Sequence, residues 1–172
     1  MPREFKLLVN GGWVKTSSEH KVLSPYDRGV AGITCFADRG LLNEAVEGSV
    51  RAFEALKKLP AYRKAELLRK VVEGIESREE ELAGLITLEA GKPIKDARAE
   101  VRRAATTFQI ALEEAKRLGG EVLPLDLAAG SEGRFGIVRR FPIGPVLGIT
   151  PFNFPLNLAA HKAAPAMACG NP

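Results

Sequence analysis

Between residues 41 and 118, apolar side chains recur at intervals of three and four in four successive runs, three of them closed by proline or glycine. Such a block folds as consecutive amphipathic helices, so any strands must lie on either side of it. Leu42, Ala45, Val46, Val50, Phe53 and Leu56 make the first stripe, from about 41 to 58, and Pro60 ends it. Leu67, Leu68, Val71, Val72 and Ile75 make the second. Ser77 and Glu80 fit a capping box for a third helix, which runs through Leu82, Leu85, Ile86 and Leu88 to Gly91. The fourth, from about 94 to 118, carries Ala97, Val101, Ala104, Ala105, Phe108, Leu112, Ala115 and Leu118 up to Gly119-Gly120.

The flanks read as extended chain. Phe5–Val9 and Trp13-Val14 flank Asn10-Gly11-Gly12, a strong hairpin turn. Ser24-Pro25-Tyr26-Asp27-Arg28-Gly29 marks a second turn, and Val30–Phe36 a further extended piece, which together predict a small antiparallel layer. After Gly120, Glu121–Asp126 and Arg134–Phe141 read as two strands joined by a polar loop around Ala128–Gly133. Val146–Thr150 is a short apolar run like a buried parallel strand. Leu156–Ala168 follows as a helix interrupted by Pro165. Strand, tight turn and helix form the first half of a βαβ unit. The expected fold is α/β, and the chain reads as truncated before the second strand.

Charge excludes some partners. The net charge is +4 and the pI about 9.2, but Lys and Arg are interleaved with acids, as in Arg63-Lys64-Ala65-Glu66. Arg102-Arg103 and Arg139-Arg140 are isolated pairs without aromatic spacing, so solvated helix surface is expected and nucleic acid is not. Cys35 and Cys169 make neither a disulfide framework nor a metal-ligand cluster, so no metal is expected. No apolar run spans a bilayer, and Met1–Lys6 lacks the apolar stretch of a signal peptide. No membrane partner is expected, and the cytoplasm is the default location.

Ligands of open α/β sheets bind beyond the carboxyl ends of the strands, where Thr150-Pro151-Phe152-Asn153-Phe154-Pro155 falls. The Asn153 side-chain amide is a neutral donor, suited to stabilising charge that develops on an oxygen. From pattern alone, an Asn just before a proline-led helix is more readily read as a cap for free backbone N–H groups. There is no G-x-G-x-x-G or G-x-x-x-x-G-K run.

Gly148-Ile149-Thr150-Pro151-Phe152-Asn153-Phe154-Pro155-Leu156-Asn157-Leu158, followed by Ala160-His161-Lys162 and Ala164-Pro165-Ala166, closely resembles the aldehyde dehydrogenase superfamily. The resemblance extends to Asn10-Gly11-Gly12-Trp13-Val14, Glu89-Ala90-Gly91-Lys92-Pro93-Ile94 and Arg139-Arg140-Phe141-Pro142-Ile143-Gly144, in the family's order and over essentially the whole chain. It implies the N-terminal part of that fold. Residues 1–120 would be strands and the helical part of the cofactor domain, 121–143 an oligomerisation hairpin, and 144–172 the first strand and helix of a Rossmann-like NAD(P) domain. The family's reaction forms a cysteine thiohemiacetal, whose oxygen Asn153 would hold, and passes hydride to NAD or NADP. Ile149, Thr150, Pro151 and Phe152 match the stretch beside the cofactor. Neither Cys35 nor Cys169 matches the nucleophile, and both are expected to be small buried residues.

Phe-Pro-Leu-Asn-Leu with Ala-His-Lys behind it resembles the branch containing lactaldehyde and non-phosphorylating glyceraldehyde-3-phosphate dehydrogenases, which oxidise small polar aldehydes. Phe154, Asn157, Leu158 and His161 would line one side of the substrate tunnel; Asn157 and His161 equally suit packing against a neighbouring helix. Arg103 matches a position where phosphate-accepting relatives place an arginine, and an ion pair one turn away is the other reading. The complete protein is expected to be a homodimer or homotetramer paired through the hairpin. A non-catalytic interaction fragment, or half of a split enzyme, is the alternative.

Overall fold

The computed structural model describes residues 3–172. Strand β1 (Leu7–Val9) pairs antiparallel with β2 (Gly12–Val14), leaving Asn10 and Gly11 as a two-residue turn. Both turn residues have positive φ, 51° and 81°, which matches the right-handed twist of the flanking strands and explains Asn-Gly at this point. A second ladder joins β3 (Glu19–Leu23) to β4 (Val30–Cys35) in antiparallel register, from Glu19 opposite Cys35 to Leu23 opposite Val30. An isolated parallel bridge between Glu4 and Ile33 ties the leading segment to β4, with Phe5 N–H donating to the Ile33 carbonyl at 2.8 Å. β3 was not expected: Glu-His-Lys-Val-Leu buries no residue, so it carries no alternation.

Helix α1 (Arg39–Leu56) starts where the Asp38 carboxylate accepts from the Leu41 N–H at 2.7 Å. Its stripe forms as expected but enters no core: Leu42, Val46 and Val50 are 54%, 53% and 53% exposed. α2 (Ala61–Glu76) buries Ala65, Leu68, Val72 and Ile75. The capping box does not form. Ser77 closes α2, donating to the Gly74 carbonyl at 3.3 Å, while Glu80 takes both arms of Arg98 at 2.8 Å. α3 (Glu79–Ala90) therefore begins without a side-chain cap and ends at Gly91, whose φ of 66° is the left-handed conformation glycine reaches without strain.

α4 (Ile94–Glu114) is the axis of the molecule, stopping four residues short of the expected end at 118. Ala97, Val101, Ala104, Ala105, Phe108 and Leu112 are buried against α2, α3 and the last helix, α5 (Pro155–Cys169). α5 presents Ala160, Ala164 and Ala168 to this core, so two alanine-lined faces let α4 and α5 approach closely. Pro165 does not interrupt α5; the helix runs through it.

Between α4 and α5 lies an antiparallel hairpin, β5 (Glu121–Pro124) with β6 (Phe135–Val138), shorter at each strand than the sequence predicts. The expected parallel strand at Val146–Thr150 makes no ladder, although Val146 N–H donates to the Pro172 carbonyl at 2.8 Å. A parallel strand needs a neighbour to bond to. Among the described residues every ladder is antiparallel, so the architecture is α/β with three two-stranded ribbons around a helical core.

Candidate active site

The N-terminus of α5 is where the most informative side chains meet. Phe154 holds the N-cap position, but no side chain caps the helix locally. Pro155, at the first helical position, has no N–H to satisfy. The next two donors, the N–H groups of Leu156 and Asn157, instead reach the Glu100 carboxylate of α4, at 3.0 and 3.2 Å to the same oxygen. Asn153 is thus not the cap; an acid from another helix caps α5 in its place. A carboxylate at a helix N-terminus also meets the positive end of the helix dipole.

Glu100 is buried, with no exposed side-chain surface, and its second oxygen accepts from Lys92, whose side chain is 14% exposed. Lys92 sits in the short link between α3 and α4. Its ammonium also donates to the Asn153 backbone carbonyl at 3.1 Å and stands 4.0 Å from the centre of the Phe154 ring. Sequence reading missed this pair. Lys92 featured only as a landmark, and Glu100 read as one acid on a mixed-charge helix.

The residues singled out from sequence divide into groups. Asn153 is exposed on its loop, with its backbone carbonyl engaged by Lys92. The guanidinium of Arg103 lies 5.4 Å from the Phe154 ring centre, and Arg103 forms no ion pair among the described residues. Asn157 is 2% exposed; its side-chain oxygen takes a 3.4 Å hydrogen bond from the Thr107 hydroxyl of α4, which sets it in the packed layer. His161 stands on the open side of α5, facing a cleft of about 460 Å³ shared with Ile110, Leu118 and Pro165. Leu158 is half-buried one turn after Phe154.

Ile149, Thr150, Pro151 and Phe152 are all exposed, Ile149 and Phe152 at 79% and 89%. Thr150 opens onto a second cleft of about 520 Å³ between α2 and α5, where Leu67 and Met167 supply apolar wall and Lys64 and Lys162 supply cations. The cysteines lie elsewhere. Cys35 is buried in β4, where a hydrogen bond from the Thr16 backbone holds its thiol below the usual range against the opposing effect of desolvation. Cys169 is only half-buried, and it ends α5, about 21 Å along the helix from its first residue at the ordinary rise per residue.

Known proteins share this fold. The model of the aldehyde dehydrogenase family matches residues 13–172. A 3-sulfolactaldehyde dehydrogenase from Priestia aryabhattai is 42% identical over 170 residues, which is 98% of this chain and 35% of that protein. A lactaldehyde dehydrogenase from Methanocaldococcus jannaschii is 38% identical over 96% of this chain and 34% of its own length. Among solved structures, an aldehyde dehydrogenase from Physcomitrella patens in complex with the reaction product succinate superposes with a TM-score of 0.96. It is 42% identical over 100% of this chain and 36% of that one. An NADP-dependent glyceraldehyde-3-phosphate dehydrogenase from Bacillus halodurans, complexed with NADP, gives a TM-score of 0.91 at 34% identity, over 99% of this chain and 36% of that one. The chain therefore spans about a third of the length of the relatives it matches, and it belongs to the aldehyde dehydrogenase family.

Proposed function

We propose that this chain forms the N-terminal share of an enzyme that oxidises a small polar aldehyde, hydroxylated or carrying an anionic group, to its carboxylic acid with NAD or NADP. The carrying observation is Asn153, an exposed amide on a loop whose backbone is held by Lys92, itself paired with the buried Glu100. When a cysteine thiolate adds to an aldehyde, the carbonyl oxygen becomes negative. A neutral N–H donor fixed beside it stabilises that charge without reorganising during the reaction. Phe154, Leu158 and His161 would form one wall of the substrate passage, supported beneath by Asn157. Arg103, free of an acidic partner among the described residues, would face an anionic tail on the substrate.

The cofactor reading has support in the second cleft. Lys64 and Lys162 suit phosphate groups and the Thr150 hydroxyl suits a polar edge, while Ile149, Pro151 and Phe152 beside Thr150 in the chain are exposed apolar side chains that a heterocycle could pack on. When bound there, NAD or NADP would supply the hydride acceptor. The side chains of this chain bind, orient and shield.

The chain's own cysteines do not serve this site, since one is buried in β4 and the other ends α5. The 172 residues by themselves are therefore expected to form no NAD(P)H from aldehydes. Co-expression with a chain supplying the other two-thirds of the family's fold is the test. Restored aldehyde-dependent activity, reduced about 10²–10³-fold in kcat by Asn153→Ala, is the expected outcome. In the same assay, Arg103→Ala should raise KM for an anionic aldehyde more than for a neutral one. Activity indifferent to Asn153→Ala rejects the oxyanion role, and equal KM effects reject the role of Arg103. Persistent inactivity favours a non-catalytic fragment.

A further inference from the structure

The geometry points to Lys92 and Glu100 as positioning residues that set where Asn153 presents its amide, an inference that rests on the proposed oxyanion role of Asn153. Three segments converge here. The α3–α4 link brings Lys92, α4 brings Glu100, and the loop before α5 brings residues 153 and 154. Glu100 divides its two oxygens between tasks: one accepts both free N–H groups of the first turn of α5, and the other accepts from Lys92. Lys92 in turn does more than neutralise the acid. It donates to the carbonyl of Asn153 itself at 3.1 Å and lies 4.0 Å from the ring of the next residue, Phe154.

A merely structural ion pair would secure α4 to α5 and stop there. This one extends a hydrogen bond to the backbone of the residue whose side chain must be aimed. The demand for it follows from local sequence: Pro155 contributes no N–H, and Phe154 contributes no cap. The turn that presents Asn153 thus has no local side-chain cap, and Lys92 and Glu100 stabilise it from other segments. Displacing a catalytic group by about 1 Å can cost about 10²-fold in rate, so loss of the Lys92 contact is expected to act on turnover more than on substrate affinity.

The test has a kinetic and a spectroscopic arm. In the co-expressed enzyme, Lys92→Met is expected to lower kcat by about 10–100-fold with KM changed less than about threefold, and Lys92→Arg, which keeps a cation and its donors, to recover most of the loss. In an Asn153→Ala background, Lys92→Met should cost less than about twofold more, because the group it aims is gone. A kcat loss of equal size in both backgrounds, or none in either, overturns the inference. If Asn153→Ala itself leaves kcat untouched, or no activity is recovered, the oxyanion reading has failed and the second arm decides. In the 172-residue chain, Lys92→Met should move the Asn153 carbonyl ¹³C resonance, and Glu100→Ala should speed hydrogen exchange at the Leu156 and Asn157 amides above that of the α4 core. Unchanged signals at these three residues overturn it. Should Glu100→Ala fail to fold, Glu100→Leu, which keeps much of the volume and removes the acceptor, gives the same readout.

Discussion

At the scale of single residues, identity was more legible than environment. Asn153 stands out because its neighbours match a family block, whereas Glu100 sits in Arg98-Ala99-Glu100-Val101-Arg102-Arg103 and reads like any acid on a charged face. Nothing in that stretch marks it as buried, because the N–H groups it caps lie 56 and 57 residues further along the chain. Residue-scale electrostatics elsewhere gives a prediction of its own. Glu81 accepts from Arg78 and also pairs with Arg3 at 2.7 Å, and these partners, Arg78 foremost, bring its pKa down from the ordinary value to about 2. A carboxyl whose folded pKa is depressed contributes stability that is present above its unfolded pKa and lost as pH falls through the folded value. Glu81→Gln should therefore lower Tm at pH 6 to 7, and the gap from the parent chain should close between about pH 4.5 and about 2. The pair is half-exposed, so the effect should also shrink in high salt. Tm followed against pH at two ionic strengths checks it; a gap that persists at pH 2 removes the ionised carboxylate as the cause.

Elements were legible where periodicity and punctuation agreed. The four central helices, the Asn-Gly hairpin and the Gly91 stop all follow from residues adjacent in sequence. Three features did not: the unalternating strand β3, the Ser77–Glu80 box, and the parallel strand at 146–150. Each depends on a partner that local pattern does not identify. Glu80, for instance, is engaged by Arg98 from α4. Periodicity also fails to say what covers a stripe. Leu42, Val46 and Val50 of α1 repeat as regularly as the core residues of α2, yet α1 has no buried residue and α2 has four. The two helices should respond differently to substitution. Leu68→Ala empties a fully buried position in α2 and should destabilise the chain by about 2–5 kcal/mol. Val46→Lys, on the exposed stripe of α1, should stay within about 0.5 kcal/mol. Urea unfolding of both variants measures this, and a loss at Val46 approaching that at Leu68 would show the α1 stripe to be covered in solution.

For the whole molecule, surface area carries the argument. The accessible surface is 11786 Å², whereas a compact monomer of 18.6 kDa exposes about 8,200 Å². The excess, about 3,500 Å², is larger than a standard protein–protein interface buries in total. Part of it lies on the loop at 147–152 and on α1, and part on the hairpin. There Val122 pairs with Ile137 and Pro124 with Phe135, which alternation places on one face of the ribbon. Val122 and Ile137 are 70% and 66% exposed. A lone two-stranded ribbon is marginal in water, and an uncovered apolar face makes it worse. If a second copy of the chain covers this face, its ribbon would supply the hydrogen bonds that the unpaired strand edge offers. Sedimentation equilibrium of the chain should then return a mass above 18.6 kDa. The double substitution Val122→Lys and Ile137→Lys should return it to the monomer while leaving the melting of the α2–α4–α5 core in place. A wild-type chain that sediments as a monomer, or a double variant whose mass is unchanged, would show that copies do not pair through this ribbon.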